Sequence, residues 1–79
     1  MSTLVAKAAT DIVTVRFTET SLIVTLADAR RLEVPLDRYP RLWRATPAQR
    51  ANWRLIAGGA GIHWDDVDED ISARSLLAS

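Results

Sequence analysis

Apolar residues fall on alternate positions in three stretches of the first half of the chain. In Ile12-Val13-Thr14-Val15-Arg16-Phe17 the β-branched and aromatic side chains put Val13, Val15 and Phe17 on one face. Residues 22–27 repeat the pattern, with Leu22, Val24 and Leu26 alternating against Ile23 and Thr25. Residues 30–36 repeat it again, with Leu32, Val34 and Leu36 on one side and Arg31 and Glu33 on the other. Short polar links, Thr18-Glu19-Thr20-Ser21 and Asp28-Ala29, join the three. An antiparallel meander with one wet face is predicted. The second link lacks the glycine that a tight type I′ turn prefers, which predicts a looser turn.

The period then lengthens from two towards four. Tyr39-Pro40-Arg41-Leu42-Trp43-Arg44 suits a short helix with Pro40 in its first turn. Thr46-Pro47-Ala48-Gln49 carries a stronger signal: Thr46 as cap, Pro47 at the first helical position and Gln49 completing a capping box. From that cap Trp53 and Ile56 or Ala57 share a face at helical spacing, and Gly58-Gly59-Ala60-Gly61 ends the helix. Ile62-His63-Trp64 reads as a short final strand, and residues 72–78 as a closing helix with carboxylates near its positive end. The predicted fold is α+β, a three- to four-stranded antiparallel meander sheet with short helices packed on one face, forming a single small domain over residues 1–79.

At 79 residues, 48% of them hydrophobic and 25% charged, the chain reads as globular rather than disordered. The absence of cysteine excludes disulfides, thiol nucleophiles and cysteine zinc sites, and a single histidine excludes a His-rich metal site. Residues 1–9 lack a basic start followed by a long apolar run, and no apolar stretch approaches the ~20 residues of a membrane span. A cytoplasmic protein without a membrane partner is expected.

Three groups of residues invite a chemical reading. Asp66, Asp68 and Asp70 stand at the first, third and fifth places of a calcium loop, but Ile71 replaces the turn glycine and Leu77 the bidentate glutamate. An exposed acidic turn is the plainer reading. His63 as a general base needs a nucleophile and an orienting group, and no spacing places Ser21, Ser72 or Ser75 for that role. Between Ile62 and Trp64 a structural histidine bonded to a carboxylate is expected. The glycines at 58, 59 and 61 follow a predicted helix and precede no lysine, so they make a helix stop rather than a phosphate loop.

Charge is zero overall, ten basic against ten acidic residues, yet it is sorted along the chain. Residues 30–54 hold seven arginines against two acids, while residues 65–70 hold five acids and no base. Arginine favours planar, bidentate contacts with carboxylates or phosphates. The two stretches either pair within one molecule, meet across a symmetric dimer, or face another macromolecule. Nucleic acid ranks lowest, because no aromatics interleave with the arginines on a strand face. Trp43, Trp53 and Trp64 are expected as core anchors, and one left exposed beside arginines would mark an interface.

From Gly61 to Ile71 the string Gly-Ile-His-Trp-Asp-Asp-Val-Asp-Glu-Asp-Ile, with the pattern G-I-H-W-x-x-x-D-E-D-I, resembles a bacterial family, domain of unknown function 2442. The resemblance extends to Arg31-Leu32-Glu33-Val34-Pro35-Leu36, Tyr39-Pro40-Arg41-Leu42, residues 46–53 and Leu76-Leu77. Asp28-Ala29 departs from the Asp-Gly or Asn-Gly of many relatives. The resemblance implies an α+β fold and no assigned activity, cofactor or catalytic residue. In that family some relatives are encoded beside a second small protein, an arrangement similar to toxin–antitoxin pairs.

The expected function is a non-enzymatic interaction module, the regulatory or antitoxin-like partner of another small protein or of a second copy, with no cofactor. Its surface is expected to involve Arg41, Arg44, Arg50 and Trp53, or His63, Trp64, Asp66, Asp68 and Asp70. The alternatives are a metal-binding or hydrolytic domain centred on His63 and the 65–70 turn, and a weak nucleic-acid binder through residues 30–54.

Overall fold

A computed structural model describes residues 8–78 of the chain, so most of the N-terminal stretch read above for a leader lies outside the described residues. The first half is the predicted meander: β1 (Ile12–Phe17), β2 (Ser21–Leu26) and β3 (Arg31–Pro35) pair in that order, each antiparallel to the next. Leu22, Val24, Leu26, Val34 and Leu36 are buried as the alternation requires.

β1 departs from its expected face. The ladder with β2 pairs Ile12 with Leu26 and Thr14 with Thr25, so an irregularity between Ile12 and Thr14 shifts the alternation by one residue. Ile12 and Val15 therefore enter the core, whereas Val13, expected inside, is 37% exposed. The β2–β3 turn is a three-residue loop: Ala29 N–H donates to the Leu26 carbonyl, Leu26 N–H donates to that of Arg30, and Ala29 takes φ 75°. That left-handed position suits glycine, which explains why alanine there looked out of place. Asp28 holds the turn by accepting from the backbone and Nε of Arg30, at 3.0 and 2.7 Å.

After a 3-10 turn over Leu36–Arg38 come α1 (Pro40–Trp43) and α2 (Pro47–Ala51). The capping box forms as predicted: Thr46 Oγ1 accepts from Gln49 N at 3.1 Å, and Gln49 Oε1 accepts from Thr46 N at 2.9 Å. The helix nevertheless stops at Ala51. Trp53–Ile56 is a strand, β4, and it pairs with β5 (Gly61–Trp64), which pairs with β6 (Glu69–Ser72) before α3 (Ala73–Ala78). The second half of the expected helix is thus a hairpin strand, and the fold holds six strands in two three-stranded antiparallel sheets among the described residues. Trp53 and Leu55 pack against the core while Arg54 points out, a period of two that four residues cannot separate from helical spacing.

Both sheets share one apolar core, in which Leu22 and Val24 of the first join Ile62, Trp64 and Ile71 of the second, with Leu42 of α1 and Leu76 of α3. The rings of Phe17 and Trp64 meet edge to face across the junction, 6.3 Å apart and 71° inclined. No helix among the described residues is long and apolar enough to cross a membrane.

The glycines that were expected to stop a helix instead turn β4 into β5. Gly59 has φ 110°, and a Cβ on it would lie 2.8 Å from the Ile12 carbonyl oxygen. The turn can sit against the start of β1 only because that atom is missing. Gly58 has φ 68° with nothing within 4 Å of its own Cβ position. Thermal unfolding should therefore separate the two: Gly59→Ala is expected to lose more than about 2 kcal/mol, and Gly58→Ala about 1 kcal/mol from backbone strain alone. Equal losses would contradict the close approach at Gly59.

Candidate functional site

Register across the second sheet sets Arg54 of β4 opposite His63 of β5, and His63 opposite Asp70 of β6. Alternation sends Ile62, Trp64 and Ile71 to the other side, into the core, and leaves this row on the outer face. The His63 side chain is 17% exposed, wedged between two carboxylates. Asp70 Oδ1 lies 2.5 Å from Nδ1, and Asp65 Oδ1 lies 2.9 Å from Nε2. Arg54 donates to Asp65 through Nε and Nη2, each at 3.3 Å, which closes a chain of four side chains.

The hydrogen bond that the ring donates to Asp70, reinforced by the charges of both carboxylates, raises the His63 pKa above its ordinary 6.5 despite partial desolvation and the Arg54 charge. The Arg54 hydrogen bonds, with the charges of Arg54 and His63, lower that of Asp65 from 3.8. While the ring is charged both nitrogens donate to carboxylates, so the imidazole then has no lone pair for a hydroxyl nucleophile. The two serines nearest in sequence serve α3: Ser72 Oγ accepts from Ser75 N at 3.0 Å and Ser75 Oγ donates to the Ser72 carbonyl at 2.8 Å. Asp65 and Asp70 flank the ring rather than converge on a common point, and no group of three or more His, Cys, Asp or Glu among the described residues is placed to hold a metal ion.

The rest of the acidic loop is tied to the helical segment. Arg41 of α1 donates to the Asp68 carbonyl at 2.5 Å, and Asn52, just past α2, donates to Asp66 Oδ2 at 3.1 Å. Asp68 takes φ 53°, a conformation aspartate tolerates better than most residues. Tyr39 is raised from its ordinary pKa chiefly by burial, with Glu69 adding to the rise and Arg38 opposing it. The sorted charges of the sequence therefore meet, in part, inside one molecule.

Of the residues expected on an interaction surface, Trp64 is a correction: it is fully buried, because alternation along β5 points it inward, and its Nε1 donates to the Arg50 carbonyl at 3.0 Å. Arg50 is engaged as well. Its Nε donates to the Leu42 carbonyl and its Nη2 to that of Trp43, both at 2.9 Å, which satisfies the open end of α1. Trp53 is half-buried against the core. Arg41, Asp66 and Asp68 line the clasped loop, His63 and Asp70 the outer row, and Arg44 is exposed with no ion pair among the described residues. Trp43, absent from that expected set, is 47% exposed next to it. The signal was available: Leu42 takes the buried side of a one-turn helix, and the next residue lies about 100° around it.

The family model described as a protein of unknown function (DUF2442) matches residues 12–79, and the chain belongs to that family. No curated protein matches it. The solution NMR structure of the uncharacterized protein CV0863 from Chromobacterium violaceum is similar in fold, with a TM-score of 0.73 and 26% identity over 86% of the present chain. The chain spans 64% of that protein's length.

The roles of the arginines separate in a stability measurement. Arg50→Ala strips charged donors from two helix-end carbonyls and should cost about 1–2 kcal/mol, lowering Tm by roughly 5–15 °C. Arg44→Ala should stay within about 0.5 kcal/mol of the parent. A neutral Arg50→Ala would return that residue to the pool of surface candidates.

Proposed function

We propose that the chain is a non-enzymatic protein-interaction module that docks an acidic surface of another small protein through α1, with Trp43 at the centre of the contact. The observation that carries this reading is the exposure of Trp43, 47% of a large aromatic left in solvent beside Arg44. Tryptophan and arginine are the residues most enriched where alanine substitution costs binding energy. Small domains need their aromatic area for the core. Here Trp64 is spent in that way and Trp43 is not.

The electrostatics favour an acidic partner. Arg41, Arg50 and Arg54 are committed to Asp68, to α1 and to Asp65, but Arg38 and Arg44, on either side of α1, make no ion pair among the described residues. A two-fold pairing through this patch would bring arginines of two copies together, so a different protein suits it better than a second copy. The regulatory or antitoxin-like part of this reading rests on the family resemblance, in which some relatives are encoded beside a second small protein.

The test is affinity capture from an extract of the source organism with the parent chain and with Trp43→Ala and Arg44→Glu, followed by reconstitution of each complex from purified components. The expected result is a stoichiometric partner with an acidic contact surface. Its dissociation constant should rise at least about tenfold for Trp43→Ala, in the range of an interface anchor. Both variants should keep parent-like circular dichroism. Equal affinity of parent and variants would contradict docking through α1, and turnover of a small molecule by the purified chain would contradict the module itself.

A further inference from the structure

We propose that His63 is a proton-operated latch on the β5–β6 hairpin, which holds Asp65 and Asp70 together while the ring carries two N–H groups and releases Asp65 when it loses one. A carboxylate only accepts hydrogen bonds, and an imidazole donates from both nitrogens only when it is charged. Nδ1 faces Asp70 at 2.5 Å and Nε2 faces Asp65 at 2.9 Å, so both contacts are satisfied in the imidazolium alone. In the neutral ring one of them sets a nitrogen lone pair against a carboxylate oxygen.

The surroundings decide which contact survives. Asp70 lies directly across the ladder from His63, so the sheet itself holds it against Nδ1. Asp65 lies beyond the end of β5, in the loop, and has a second holder in the Arg54 guanidinium. The neutral ring therefore keeps its proton on Nδ1, and Asp65 moves to Arg54 alone. The charged groups facing the ring are Arg54 from β4, Asp65 from the loop and Asp70 from β6. Two anions outweigh one cation, in line with the raised pKa.

The sign of the effect follows. The imidazolium contacts contribute fully below the unfolded value of 6.5 and are lost as pH rises through the folded value, which lies higher. On the acid side the Arg54–Asp65 contribution holds above 3.8 and is lost as pH falls through the lowered folded value. The latch is closed between these limits and opens on the alkaline side by deprotonation of a single ring. This device goes beyond the docking surface on α1 and does not depend on it.

Imidazole ¹⁵N and ¹³C NMR of the full chain, titrated from pH 5 to 9, tests the latch. The expected result is a His63 pKa above 6.5 with a neutral ring mainly in the Nδ1–H form, the minor tautomer of free histidine. The Asp65 carboxyl resonance should shift at the same midpoint. Amide protection over residues 65–68 should fall about two- to fivefold across it, the range for exposed ion pairs. Asp65→Asn should lower the His63 pKa and leave the Nδ1–H form in place. Asp70→Asn should lower it and move the proton to Nε2. A pKa at or below 6.5, a neutral Nε2–H ring in the parent chain, or an Asp65 resonance blind to the His63 midpoint would each overturn the latch.

Discussion

Trp64 buries its whole indole where the two sheets meet, with its edge-to-face contact on Phe17 and its N–H on the Arg50 carbonyl. A ring of that size removes about 150–250 Å² from water, worth on the order of 4–6 kcal/mol at ~25 cal/mol per Å². A domain of this length has a net stability of roughly 4–12 kcal/mol, so one side chain contributes an amount comparable to the whole margin. Each sheet has only three strands and one apolar face to cover. Neither has enough strands to bury that face by curling on itself, and the Trp64 junction lets each serve as the other's cover. Through the Arg50 carbonyl the same ring fixes the end of α2, and the Arg50 side chain fixes the end of α1.

That arrangement gives the family signature a physical meaning. In Gly61-Ile62-His63-Trp64 the even positions fill the core and His63 faces out; Ile71 returns to the core while Asp70 pairs with His63 across the ladder. Gly61 leaves room for Ile56, whose side chain would stand 3.1 Å from an added Cβ. The acidic residues between them are held by Arg41, Asn52 and Arg54. Most of the string thus specifies a hairpin and its fastening. The docking proposed for α1 draws on residues outside it, which leaves the partner free to differ where the fold does not.

The first sheet was legible because each of its strands is long enough for period two to show, and the capping box at Thr46 because it depends on four adjacent residues. Of the second sheet only Ile62-His63-Trp64 was legible as a strand, now the middle one, and its partners β4 and β6 were hidden by shortness. Four residues from Trp53 to Ile56 satisfy both periods, and the cap upstream favoured the helical one. The bulge in β1 had no sequence marker, so Val13 and Ile12 exchanged faces unannounced. The charge sorting was visible, yet its partial resolution within the molecule depends on α1 and the 65–68 loop being neighbours, which no local pattern states. His63 was rightly expected beside a carboxylate. That it has two, one on each nitrogen, follows only from the β5–β6 register.

The claim that Trp64 joins the two sheets is tested most directly by native-state amide exchange on Trp64→Phe. The smaller ring leaves the Arg50 carbonyl without its donor and opens space at the junction, a loss of about 2 kcal/mol. If the junction couples the sheets, protection at Val24 in β2 and Ile62 in β5 should fall by the same factor, roughly thirtyfold for that loss. A drop confined to β5, with β2 as protected as in the parent chain, would show that the sheets hold themselves separately and would contradict the account.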